Sequence, residues 1–131
     1  KMLKEYLVNF ASPFIYSTAM PDIQILIISE TYKFLEVHPY LADVLQYNIK
    51  YFRKHKVHSL SQDMSPVQVV QFPAVKNLYK AVQELKQQKI NVYPILSPTV
   101  KEGGERLRIT LHQFNSIAEI DELASIIKDN L

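Results

Sequence analysis

Two arginines separated by one residue, Arg106 and Arg108, follow closely on Gly103 and Gly104, the only two glycines in the chain. In the alternation of a strand this spacing puts both guanidinium groups on one face, about 7 Å apart at ~3.3 Å per residue. Guanidinium forks hold carboxylates through two parallel hydrogen bonds, which sets orientation as well as charge. The same pair also fits an exposed sheet face with one arginine in a surface ion pair, and local chemistry leaves both readings open. Ser17 and Thr18 stand between Pro13 and Pro21, just ahead of a helix start. Their hydroxyls suit ordinary capping or, alternatively, an anion such as phosphate, which a helix N-terminus attracts. His55 and His58 have a spacing that metal sites use. No acidic or third imidazole ligand is near them in sequence and the surrounding run is basic, so they read as solvated histidines, not metal ligands. Asp121 and Glu122 read as the solvated face of a helix.

The elements that must position these groups can be traced along the chain. Leu3, Tyr6, Leu7 and Phe10 share a helical face, which predicts a helix over 2–11. Pro13 and Pro21 predict an extended segment between them, since a residue before proline avoids the helical region. Pro21 and Asp22 open a helix through Val37 that carries Ile23, Ile25, Leu26, Ile27 and Ile28. It is apolar nearly all round, and such a helix is normally buried on more than one side. After His38 and Pro39, a second helix is expected to hold Leu41, Val44, Leu45, Tyr47 and Phe52 inside. "VQVVQF" is a strand by its β-branched content. "PAVKNLYKAVQELKQQK" is amphipathic, with Val75, Leu78, Val82 and Leu85 as its stripe. "INVYPIL" and "RLRITLH" are strands joined by a turn-rich connection. The last helix opens on Ser116 with Glu119 three residues on, a capping box. This order predicts an α+β fold with helices against one small sheet.

Composition removes several classes of function. Net charge is +2 over 131 residues with the basic residues scattered, which argues against nucleic acid as a partner. Cysteine is absent, which rules out disulfides and thiolate metal sites within this sequence. No apolar run reaches the ~20 residues of a membrane helix, and a cytoplasmic setting is the default expectation. Phosphate-cradling loops of the Walker or dinucleotide type need several glycines at fixed spacing, more than the two present. The opening "KMLKEYLVNFA" starts in mid-helix pattern, so the expectation is a piece of a longer protein.

"YLVNFASPFIYSTAMP", "SPTVKEGGERLRITL" and "IDELASII" together resemble the C-terminal third of the α-oxoamine synthases. The similarity runs in order from about Tyr6 to Ile127, and the 8-amino-7-oxononanoate synthases of biotin biosynthesis are the nearest branch. These are pyridoxal-phosphate enzymes of the aspartate-aminotransferase fold. The resemblance implies a transferase that condenses an amino acid with an acyl-CoA and loses carbon dioxide; a family aminotransferase stays open. It implies a small C-terminal domain over 37–131 with a mainly antiparallel three-stranded sheet, and over 1–36 the tail of the large cofactor-binding domain. It assigns Arg108 to the amino-acid carboxylate, leaves Arg106 structural, and assigns Ser17 and Thr18 to the cofactor phosphate of a dimer mate. The family's cofactor lysine has no counterpart here, because Lys1 and Lys4 do not match its motif. These residues then include no catalytic group, and the piece alone is expected to be inactive. Two departures bear on the acyl substrate: Leu96 or Ser97 stands where an arginine is frequent, and Asn115 where a histidine is frequent, with His112 three residues earlier. The competing reading is an independent, non-catalytic α+β module that senses an amino acid or binds a partner.

Overall fold

The computed structural model describes residues 1–15 and 18–131. Among them the order is α1 (Met2–Phe10), α2 (Ser12–Ile15), α3 (Asp22–Val37), α4 (Tyr40–Lys54), β1 (Val67–Gln71), α5 (Val75–Gln87), β2 (Tyr93–Ile95), β3 (Arg106–Thr110) and α6 (Ile117–Asp129). The chain divides into two compact units, Lys1–His38 and Pro39–Leu131.

The first unit is helical. One expectation fails here: the stretch after Ala11 is not extended throughout but turns through α2. Pro13 occupies the first turn of that helix, where its missing N–H forfeits nothing, and the N–H groups of Phe14 and Ile15 both reach Ala11 O at 2.8 and 3.1 Å. Pro21 caps α3 and Asp22 stands in its first turn, as the sequence predicts. No residue of α1, α2 or α3 is buried.

The second unit holds a three-stranded antiparallel sheet in the order β1-β3-β2. β3 is central, and its alternation decides the architecture. Leu107 and Ile109 are buried with Val70 of the neighbouring strand, whereas Arg108 and Thr110 point the other way and are exposed. Helices cover the buried face, α6 packing against both α4 and α5. Ile49, Phe52, Leu78, Leu85, Leu107 and Ile127 are fully buried and form the centre of the core. β2 and β3 are shorter than the apolar runs that announced them, although just past β3 the Leu111 N–H still donates to Pro66 O at 2.9 Å, ahead of β1. Val44 and Tyr47, expected inside, are exposed; the buried stripe of α4 runs through Asn48, Ile49 and Phe52.

Two local devices match their sequence signals. Gly103 adopts φ 80°, a left-handed conformation that other residues enter only with strain. It sits in the connection between β2 and β3. At the start of α6, Glu119 N–H donates to Ser116 Oγ at 3.2 Å and Ser116 N–H donates to the Glu119 carboxylate at 2.8 Å, closing the capping box. Those bonds from Ser116, backbone first, hold the Glu119 carboxyl below its ordinary pKa.

Candidate functional site

Arg106 and Arg108 lie on the same face of β3, but their surroundings differ. Arg106 Nε donates to Gly104 O at 2.8 Å, so its head folds back on the turn it follows. Gly104 leaves room for this: a Cβ there would lie 3.0 Å from Lys101 O and 3.3 Å from Arg106 Nη2. Arg108 is exposed and, among the described residues, pairs with no carboxylate. Its guanidinium carbon lies 5.7 Å from the centroid of the Tyr93 ring, on the strand alongside. A guanidinium on a central strand with no carboxylate partner among the described residues is an arrangement suited to anion recognition.

Arg108 opens onto a cleft of about 430 Å³ whose rim includes Tyr93, Thr110, His112, Phe114 and Asn115. The loop that follows β3 shapes this rim. Asn48 of α4 is buried and donates its amide to both His112 O and Asn115 O, each at 3.0 Å. Asn115 Oδ1 in turn accepts from the His112 N–H at 2.7 Å. Where a histidine is frequent, the asparagine therefore closes a turn. Above it the His112 and Phe114 rings stack with centroids 4.8 Å apart, 7° from parallel. The signal for Asn48 was present in the sequence, since it interrupts an otherwise apolar stripe of Leu41, Leu45 and Phe52. The signal for Tyr93 was not, because only the strand register brings it opposite Arg108.

The other candidates fall elsewhere. Thr18 is exposed in the non-helical stretch before α3. Ser17 lies outside the described residues. His55 is not a simple solvated histidine: its Nε2 is 3.0 Å from Asp121 Oδ1, and the Tyr51 hydroxyl donates to that same oxygen at 2.9 Å. Asp121, read as part of a solvated face, is thus tied to Tyr51 of α4, 70 positions away in sequence, and to His55, which caps that helix. The hydrogen bond to Asp121 pushes the Tyr51 hydroxyl above its ordinary pKa, with partial burial adding to it. Among the described residues no three potential ligands gather as a metal site would need, and no helix is long and apolar enough to cross a membrane.

Comparison with known proteins places this arrangement. The chain is 33% identical over 128 residues to an 8-amino-7-oxononanoate synthase of Serratia proteamaculans, covering 95% of the chain and 33% of the relative. It is 34% identical over 122 residues to the 8-amino-7-oxononanoate synthase of Photorhabdus laumondii, covering 91% and 32%. It also superposes on the crystal structure of 8-amino-7-oxononanoate synthase from Francisella tularensis with a TM-score of 0.77 at 28% identity, over 98% of the chain and 38% of that structure. The chain spans about a third of the length of the curated relatives it matches. The profile of the aminotransferase class I and II family matches residues 1–127, and the chain belongs to that family.

Proposed function

We propose that the protein carrying this chain is a pyridoxal-phosphate-dependent acyltransferase that condenses an amino acid with an acyl-CoA, in the manner of 8-amino-7-oxononanoate synthase, and that Arg108 binds the amino acid's carboxylate. The observation that carries this reading is the exposed Arg108 guanidinium, held on the central strand above a cleft and paired with no described carboxylate. Similarity to the 8-amino-7-oxononanoate synthases supports the reaction class, and the absence of a carboxylate partner for Arg108 among the described residues supports its role.

Each part of this chain has a limited task in that reaction. Arg108 orients the amino acid by gripping its carboxylate through a charge-assisted fork. Asn48 and Asn115 hold the loop of His112 and Phe114 so that the rim of the cleft keeps its shape. Thr18 presents an exposed hydroxyl outside any helix, a donor of the right chemistry for a phosphate oxygen, and with Ser17 it is assigned to the cofactor phosphate. When bound, the cofactor supplies the electron sink for the bond changes at the amino acid's α-carbon. No lysine in these residues matches the cofactor lysine of the family, so the chain contributes a contact and not the covalent anchor. We accordingly assign residues 1–36 to the tail of a larger cofactor-binding domain and 37–131 to the small domain, in a cytoplasmic homodimer.

The test is the reaction itself. The full-length protein, supplied with pyridoxal phosphate, an amino acid and an acyl-CoA, should release free CoA thiol and carbon dioxide together. Transfer of the amino group to an oxo acid, with no thiol released, would make the protein an aminotransferase instead. The 131-residue chain mixed with pyridoxal phosphate should show no stoichiometric Schiff-base absorption. Such a band, removed by mutating one lysine, would overturn the division of labour proposed above.

A further inference from the structure

We propose that Tyr93 is a positioning residue for Arg108, its ring fixing the plane of the guanidinium so that a carboxylate is met along its N–H edge. This rests on the reading of Arg108 as the carboxylate ligand and adds a residue that the reading does not require. β2 and β3 pair antiparallel with Tyr93 directly opposite Arg108. The guanidinium carbon is 5.7 Å from the ring centroid, within the ~6 Å over which a cation is drawn to an aromatic face. Tyr93 is 58% exposed, so the ring is not there to fill the core. On the other side of Arg108 the cross-strand neighbour is Val69, whose side chain accepts no hydrogen bond. The guanidinium is therefore flanked across the sheet by an aromatic ring and an aliphatic side chain.

The two arginines of β3 make the point by contrast. Arg106 stands opposite Gln71 and Ile95, and its Nε–H is spent on Gly104 O. Arg108 is held by a contact that consumes none of its N–H groups. Attraction of the cation to the ring face restricts rotation of the long arginine side chain while spending none of its N–H groups. A ligand carboxylate then has to lie in the guanidinium plane to receive both bonds. The tyrosine hydroxyl has no part in this geometry, so phenylalanine should serve as well and leucine should not.

The experiment compares Tyr93→Leu, Tyr93→Phe and Arg108→Ala. In NMR spectra of the 131-residue chain, the Arg108 side-chain protons should be displaced by the ring current in wild type and Tyr93→Phe, and should lose that displacement in Tyr93→Leu. In the full-length protein, Tyr93→Leu should raise the amino-acid KM about two- to fivefold, with the effect in KM and not in kcat, and Tyr93→Phe should restore wild-type behaviour. Undisplaced Arg108 signals, an unchanged KM in Tyr93→Leu, or a phenylalanine variant as weak as the leucine variant overturns the proposal. Arg108→Ala separates the two levels. A wild-type KM there defeats the carboxylate reading itself, and the positioning role with it. A large rise in Arg108→Ala with none in Tyr93→Leu defeats the positioning role alone.

Discussion

The helices of Lys1–His38 and those of Pro39–Leu131 contain similar kinds of apolar residue and use them in opposite ways. In the second unit, Ile49, Phe52, Leu78 and Ile127 are fully buried. In the first, Ile23, Ile25, Leu26, Ile27 and Ile28 remain between 43% and 63% exposed. The difference lies in pattern more than in composition. α5 places its apolar residues on one stripe and α4 largely does so, and a stripe can be satisfied by one sheet face. α3 carries isoleucine and leucine on nearly every side, and no single surface covers a helix of that kind. The second unit has a buried core of its own, whereas the helices of the first contain no buried residue.

The largest expected effect follows from that exposure. At ~25 cal/mol per Å², covering about 300 Å² of apolar surface is worth about 7.5 kcal/mol before the cost of association. The chain should therefore self-associate through residues 1–36, and Ile27→Asp should suppress this without altering the thermal melt of the second unit. Light scattering across a concentration series reads it; a clean monomer at high concentration would mean that the exposed face needs no cover. The converse test lies in the core. Phe52→Ala empties a fully buried site and should cost about 3–5 kcal/mol in denaturant unfolding, while leaving the association of the first unit in place. A loss under 1 kcal/mol would deny that this core is what holds the second unit together.

The smallest effect concerns the cap of α6. Ser116→Ala should cost about 1 kcal/mol of stability at neutral pH. Glu119 is held below its ordinary pKa in the fold, so its contribution is present above the unfolded carboxyl pKa and is lost as pH falls through the folded one. Glu119→Gln should therefore flatten the acid limb of the stability profile and leave the alkaline limb unchanged. An acid limb identical to wild type would show that the capping box carries no such linkage.

Local patterns were legible in the sequence to the extent that their chemistry is local. The capping box, the stripe of α5 through Leu78, Val82 and Leu85 and the turn at Gly103 and Gly104 each announce themselves within a few residues, although Val75, expected in that stripe, is exposed; apart from α2, the order of helices and strands is legible along the chain. α2 was not legible, because Pro13 is compatible with both an extended segment and a first helical turn. The Asp121 contact with Tyr51 and His55 joins residues far apart in sequence. Strand register is equally silent in single residues: alternation puts Arg106 and Arg108 on one face, but only the pairing of β2 with β3 sets Tyr93 against one of them. The fate of the two arginines was likewise decided by tertiary detail, since a carbonyl at Gly104 lies within reach of Arg106 and not of Arg108.

The account turns on that last distinction, and one measurement addresses it directly. Amino-acid KM and kcat should be determined in the full-length protein for wild type, Arg106→Ala and Arg108→Ala. Removing a charge-assisted contact to a carboxylate costs about 1.5–3 kcal/mol, so Arg108→Ala should weaken amino-acid binding roughly ten- to a hundredfold. Arg106→Ala should act mainly on stability and leave binding near wild type. Equal amino-acid affinity in Arg108→Ala and wild type, or a larger loss in Arg106→Ala, would contradict the assignment of Arg108 as the carboxylate ligand.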